Sequence, residues 1–250
     1  MADLLLRVSG LTRHFGGIVA SENINLEVEC GCIHAVIGPN GAGETTLLAQ
    51  LSGQLKPDSG EIEFAGQVIT NHGMARRARG GLARSFQITS VLLSMTLLEN
   101  VMLAVQGTRA HSFRFWTPVQ QDQALQDEAL ASLARVGLEE RAGHIAAQVS
   151  HGEQRQLEVA MALAMRPRLL LLDEPMAGMG AEEGARMVQL LSELKEDRTI
   201  LLVEHDMDAV FSLADRVSVL VNGRVIATDT PDKIRNNLEV QRAYLGDGHA

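Results

Sequence analysis

Ile33-His-Ala-Val-Ile37 runs directly into Gly38-Pro39-Asn40-Gly41-Ala42-Gly43-Glu44-Thr45-Thr46. A short apolar run stopped by glycines reads as a buried β-strand, and the residues after Thr45 continue as a helix through about Leu51. Strand, glycine loop and helix together make the phosphate-binding pattern G-x-x-x-x-G-K-[S/T], matched at every fixed position except the lysine, where Glu44 stands. The glycines let backbone N–H groups curl into an anion nest, the helix start adds positive potential, and the Thr45 hydroxyl is a ligand for Mg²⁺. What is missing is an ammonium group reaching the β- and γ-phosphates. At ~4 Å and an effective dielectric of ~20, one unit charge pair is worth about 4 kcal/mol. Reversing that charge is therefore expected to cost several kcal/mol, and even ~3 kcal/mol is about a hundredfold in affinity. Rotation of Glu44 away from the loop, or its entry into a magnesium shell, reduces the penalty. Taken alone, the loop also reads as an ordinary Gly-rich strand–helix turn, and its surroundings decide.

Around it, short apolar segments alternate with longer amphipathic ones, which predicts an α/β chain with a largely parallel sheet. Leu169–Leu172 and Ile200–Val203 read as buried strands that end in acids. Met187, Leu190, Leu191 and Leu194 recur at helical spacing, which predicts a crossover helix over Glu182–Glu196. Val217–Val221 and Arg224–Thr228 flank Asn222-Gly223, a type I′ hairpin signal. An antiparallel pair of Asn23–Val28 with Glu61–Phe64 is also expected. From Ile88 to Val149 strand signals give way to helical patterns at Leu97–Val105 and Asp122–Val136, separated by His111-Ser-Phe-Arg-Phe-Trp-Thr-Pro118. A mostly helical insertion in the α/β core follows from this.

Four further stretches carry chemistry. Leu169-Leu-Leu-Leu-Asp173-Glu174-Pro175 delivers two carboxylates at the C-terminal end of a strand, where open α/β sheets bind ligands. Asp173 is placed to hold Mg²⁺ through water and Glu174 to polarise an attacking water; the plainer reading is a strand end with ordinary acids. Ser150-His151-Gly152-Glu153 opens a helix and offers a second anion site, although Ser150 is equally read as a plain N-cap. His205, just past a buried strand, can contact a γ-phosphate or be structural. Gln87 ends a short strand, Gly81–Phe86, at the junction with the insertion, where it is either a site residue or a surface amide.

In this order the motifs resemble the ATP-binding subunits of ABC transporters over almost the full chain. Leu11-Thr-Arg-His-Phe-Gly-Gly17, Glu204-His-Asp-Met207, Ile234-Arg-Asn-Asn237 and Arg242-Ala-Tyr-Leu-Gly246 are most similar to the subgroup serving importers of branched-chain amino acids and related amides. The resemblance implies a P-loop NTPase core of the ABC type, with an antiparallel β-subdomain and an inserted helical subdomain. It sets residues 1–250 as one nucleotide-binding domain and 88–165 as the helical subdomain. It also implies that Phe15 stacks on adenine, that 38–46 is the Walker A loop, and that Gln87 links magnesium to the membrane subunits. Ser150–Glu153 becomes the signature acting on the nucleotide of an opposing subunit, with Asp173 as Walker B, Glu174 as catalytic base and His205 as switch histidine. ATP and Mg²⁺ are the implied cofactors. The implied partners are transmembrane permease subunits, a second ATP-binding subunit (identical or homologous) and, indirectly, a periplasmic binding protein. The departures are Glu44 for the lysine, His151 and Glu153 within the signature, and Gly180 where a D-loop aspartate is often found.

Composition limits the alternatives. The 250 residues are 46% apolar and 21% charged, ordinary for one globular domain. Twenty-two basic against 31 acidic residues give a formal charge of −9, a poor match to nucleic acid. Cys30 and Cys32, two apart, form neither a C-x-x-C pair nor a disulfide framework, and as adjacent strand residues are read as free thiols. The N-terminus is not a secretory signal, and no apolar run approaches the ~18 residues of a membrane span, so a peripheral place on the cytoplasmic face, through the permease, is expected. Two other functions compete. A nucleotide-binding-impaired subunit would lend its Ser150 signature to a competent partner. A soluble ABC ATPase of chromosomes or ribosomes would need a long coiled coil or a tandem second domain, and only about sixty residues separate Gln87 from Ser150.

Overall fold

The computed structural model describes residues 3–85, 91–108 and 122–246. Gln87 and the segment His111–Pro118 lie outside the described residues.

Two sheets enclose one helix. The first is antiparallel and contains β1 (Leu4–Phe15), β2 (Ile18–Glu29), β4 (Ser59–Phe64) and β5 (Gln67–Val68) in the order β2-β1-β4-β5. The second has six strands: β3 (Ile33–Ile37), β6 (Leu82–Arg84), β7 (Leu169–Asp173), β8 (Thr199–Val203), β9 (Arg216–Val221) and β10 (Arg224–Asp229). Its order is β10-β9-β3-β8-β7-β6, with β9, β3, β8, β7 and β6 parallel and β10 antiparallel at the edge. β3, β7 and β8 are buried at every position, which is why they read as continuous apolar runs and not as alternation.

The strand period of two sorts those buried residues onto two faces. Leu169, Leu171, Leu201 and Val203 pack with Leu47, Leu48 and Leu51 of α1 (Glu44–Ser52) and with the inner face of the first sheet. Leu170, Leu172, Ile200 and Leu202 pack on the other face, mainly with four helices. These are α3 (Leu97–Thr108), α4 (Gln123–Arg135), α5 (His151–Ala164) and α6 (Ala181–Leu194). α6 buries Met187, Leu190, Leu191 and Leu194, the stripe read from sequence. At the far end Val217 and Val219 meet Val210, Ile234 and Val240, from α7 (Met207–Leu213), α8 (Pro231–Arg235) and α9 (Leu238–Gly246). α2 (Met74–Arg79) follows β5. Asn222 and Gly223 take φ of 47° and 76°, the pair of positive values a type I′ turn requires.

Two expectations need correction. Asn23–Val28 and Glu61–Phe64 do not pair with each other, because β1 lies between them and bonds to both. Thr12 and Gly10 interrupt that strand's alternation, and its register shifts there, which hid it in the sequence. Cys30 and Cys32 are free thiols, as read, but sit in the turn between β2 and β3 and not within a strand. Burial of Cys32 pushes its thiol up to about 11, so it is a poor nucleophile near neutrality.

His34 on β3 is 1% exposed; its Nε2 lies 2.8 Å from Ser218 Oγ, and its Nδ1 has no hydrogen-bond partner among the described residues. Burial first, and then the Arg216 charge, lower its pKa from 6.5 to about 4. The unfolded chain thus binds a proton that the folded chain refuses. Stability is expected to be unaffected by this group above pH 6.5, to fall as pH drops toward 4, and to level off below. The loss is roughly 3 kcal/mol over that window. Urea midpoints of the parent and of His34→Leu should diverge in slope between pH 6.5 and 4; parallel curves would remove His34 as the cause.

Candidate functional site

The order β3-β8-β7 puts three C-terminal strand ends side by side: the loop Gly38–Gly43 after β3, Glu204-His205 after β8, and Glu174 after β7. That edge of a parallel sheet is where ligands of open α/β folds bind.

The loop is tightly held from behind. A Cβ on Gly38 would stand 2.4 Å from Leu220 O, and one on Gly43, at φ 112°, would stand 2.4 Å from Ala20 O. Only glycine fits at either position. Ala42 N–H donates to Pro39 O, and Ala42 O accepts from Gly223 N–H, so the loop is stapled to itself and to the hairpin. Pro39 is half-buried, Asn40, Gly41 and Thr45 are exposed, and Thr46 is half-buried.

Glu44 begins α1 and is 6% exposed. Its Oε1 lies 2.7 Å from where a Gly38 Cβ would stand, on the same side as Leu220 O, so the carboxylate folds inward beneath the loop. That oxygen is buried with no hydrogen-bond partner among the described residues. Burial raises its pKa above the usual carboxylate range. The Glu44 and Gly43 N–H groups and His205 pull the other way, and Glu174 adds to the rise.

Asp173, at the end of β7, is buried. Its Oδ2 accepts from Arg84 at 2.7 Å, and its Oδ1 has no partner among the described residues. Glu174 takes φ 47°, a left-handed conformation costing on the order of 1–3 kcal/mol for a side-chain-bearing residue. From there its Oε1 lies 3.2 Å from His205 Nε2. The structure thus brings together the loop, Glu44, Asp173, Glu174 and His205.

Ser150 and Gly152 lie elsewhere, at the start of α5. Ser150 caps that helix, accepting from Glu153 N–H at 3.2 Å while Glu153 Oε2 accepts from Ser150 N–H at 2.8 Å. Both the plain cap and the anion-site reading therefore hold the same geometry. Ser150 Oγ also donates to Glu183 Oε1 at 3.2 Å, and a Cβ on Gly152 would lie 2.6 Å from that carboxylate. Glu183 Oε2 accepts from Gly180 N–H at 3.3 Å, which ties Ser150 to the start of α6. Phe15 is 46% exposed, with the Arg13 guanidinium 5.0 Å from its ring centroid.

Two residues of this site went unread in the sequence. Arg84, in β6, is buried and bonds Gln54 Oε1 as well as Asp173; a cation inside a short apolar strand was the available signal. Glu204 is 4% exposed and accepts from the N–H groups of Met176, His205 and Asp206, so one carboxylate holds the loops after β7 and β8 together. An acid directly after a buried strand marks it, but nothing local shows which loop it serves.

The cradle of Gly38–Gly43 and the unpartnered Asp173 oxygen suit an anion beside a cation. No group of three or more His, Cys, Asp or Glu forms a self-sufficient metal site among the described residues. Magnesium there would be held by few protein oxygens together with phosphate and water, its usual habit.

The ABC transporter family model matches residues 21–177. A second model, the branched-chain amino acid ATP-binding cassette transporter, matches residues 224–250. The chain is 40% identical to the high-affinity branched-chain amino acid transport ATP-binding protein LivG of Escherichia coli (strain K12), over 99% of this chain and 100% of that protein. It resembles the ADP conformation of MJ1267, an ATP-binding cassette of an ABC transporter, with TM-score 0.87, 28% identity and coverage of 97% and 99%. It is also similar to MJ0796, solved as a dimer bound to ADP and Pi in a post-hydrolysis state, with TM-score 0.79, 26% identity and coverage of 91% and 99%.

Proposed function

Because this chain belongs to the ABC transporter family of ATP-binding proteins, we propose that it is the energy-coupling ATPase subunit of an importer for branched-chain amino acids or related amides. The observation that supports this most is Glu174 paired with His205 at one sheet edge, beside the glycine loop. A nucleotide triphosphate gripped by the loop amides would present its terminal bond to that pair, with Thr45, Asp173 and Gln87 as the residues to hold Mg²⁺. When bound, Mg²⁺ neutralises charge on the phosphates. Glu174 orients water for attack and His205 fixes the Glu174 carboxylate. Ser150 and Gly152 serve the nucleotide of a second ATP-binding subunit, and Phe15 stacks on its own subunit's adenine.

No described helix is long and apolar enough to cross a membrane, so membrane attachment through permease subunits, at the cytoplasmic face, fits the family. The permease contact is expected around Gln87–Glu99, at the start of the helical section. A cavity of about 410 Å³ opens there, with Ala75, Leu92, Leu103, Met161 and Met165 among its walls. Glu99 is not the residue to test, because its carboxylate accepts from Thr96 N–H and Oγ1 and caps α3. Leu103, 39% exposed, is. Leu103→Glu is expected to cut co-purification with the transporter's permease subunits at least tenfold, with thermal stability unchanged. Retained co-purification moves the docking site. Leucine uptake by cells relying on this transporter tests the solute: uptake that is not lost when the chain is deleted would refute it.

A second reading draws on the buried Glu44: the chain completes, with Ser150, the site of a homologous competent subunit while its own loop binds weakly. Turnover of the isolated chain against Glu44→Lys separates the two readings.

A further inference from the structure

A serine hydroxyl has a single proton to donate, although it can accept more than once. In Ser150 that proton is already placed. Its Oγ donates to Glu183 Oε1 at 3.2 Å while accepting from Glu153 N–H. Glu183 reaches over from α6, and its second oxygen accepts from Gly180 N–H at 3.3 Å. The missing Cβ of Gly152 is what admits the carboxylate, since a Cβ there would lie 2.6 Å from both Glu183 Cδ and Glu183 Oε1. The guanidinium groups nearby are engaged elsewhere, Arg186 with Glu182 and Arg141 with Glu153. The half-buried Glu183 thus spends its two oxygens on one hydroxyl and one backbone amide. A plain helix cap needs only the amide. The bond to Ser150 adds nothing to α6 and ties up the donor a phosphate would use.

We infer that Glu183 is a positioning residue for the reaction: it holds the Ser150 hydroxyl turned toward α6, and the nucleotide of the second subunit gains that donor only when the Ser150–Glu183 bond opens. The inference rests on reading Ser150 and Gly152 as serving the nucleotide of a second subunit. A carboxylate and a phosphate cannot share one proton, and two anions meeting at one hydroxyl repel each other. There is room for the exchange. Glu183 stands in the wall of a cleft of about 640 Å³ between α4, α5 and α6, with Arg135, Gln156, Met179 and Gln189 around it. A swing into that cleft releases Ser150 and frees Gly180 N–H with it, so engagement at Ser150 is felt at the start of α6.

Steady-state ATP hydrolysis by the assembled transporter, with Glu44→Lys as background so that the loop binds nucleotide, tests this as a double-mutant cycle. Glu183→Gln and Glu183→Ala are expected to lower the KM for ATP by about threefold and about tenfold respectively, with a smaller change in kcat. With Ser150→Ala added, the same substitutions should leave KM unmoved. Equal effects with and without Ser150 would make Glu183 a helix cap only and overturn the inference, as would a KM that stays or rises in both Glu183 variants. Melting temperatures report the cap separately, because its loss lowers them whether or not Ser150 is present. A Ser150→Ala variant that alters neither KM nor kcat would instead overturn the reading of Ser150 as a nucleotide contact.

Discussion

Arg84→Met is expected to lower folding stability by about 3–5 kcal/mol, read as a lower urea midpoint at unchanged slope. The Arg84 and Asp173 side chains are 7% and 1% exposed, with 2.7 Å between Arg84 Nη2 and Asp173 Oδ2. Methionine fills the guanidinium's channel with similar bulk but leaves Asp173 buried, charged and unanswered, with its other oxygen already lacking a partner among the described residues. Most of the penalty is the desolvation of that carboxylate and not the strength of the bond. The double variant Arg84→Met/Asp173→Asn should therefore recover a large part of the loss, since neither side then carries charge. A single variant within about 1 kcal/mol of the parent would mean that water reaches the pair. Arg84 also joins β6 to β7 just before the segment containing Gln87, so the orientation of Asp173 depends on the strand that leads into that segment.

The other large effect is chemical. In the assembled transporter, with Glu44→Lys as background so that nucleotide affinity is not limiting, Glu174→Gln is expected to reduce ATP turnover by about 10²–10⁴-fold. Glutamine keeps the size and the approach to His205, 3.2 Å from Glu174 Oε1, but cannot accept a proton. ATP affinity should stay within about threefold, which distinguishes lost chemistry from a collapsed site. Turnover near that of the background variant would remove Glu174 from the reaction and leave its left-handed backbone without a purpose. His205→Ala should fall in the same direction by a smaller factor, because Glu174 would remain at φ 47° but lose the imidazole 3.2 Å away.

What sequence made legible follows the range of the interactions. β3, β7 and β8 were readable because burial on both faces forces continuous apolar runs. The Asn222-Gly223 hairpin was readable because two positive φ values restrict residue choice on the spot. β1 was not, since its partners lie on both sides, at residues 18–29 and 59–64, and its own alternation is broken by register shifts. The site divides in the same way. Glu174 and His205 stand out by position after a strand, but their 3.2 Å approach depends on the adjacency of β7 and β8, which no local pattern encodes. Arg84, Glu204 and Glu183 act across 89, 28 and 33 residues of chain, and their partners emerged only with the fold. The inward fold of Glu44 belongs to the same class: the substitution was visible, its direction was not.

The backing of the glycine loop fixes where adaptability can reside. Carbonyl oxygens of Ala20 and Leu220 stand directly behind Gly43 and Gly38, so the ring of amides cannot widen without dislodging strands from both sheets. A socket this stiff leaves adjustment to side-chain torsions, which change fast compared with strand movement. A ligand seated there is therefore expected to be accommodated with almost no displacement of the backbone.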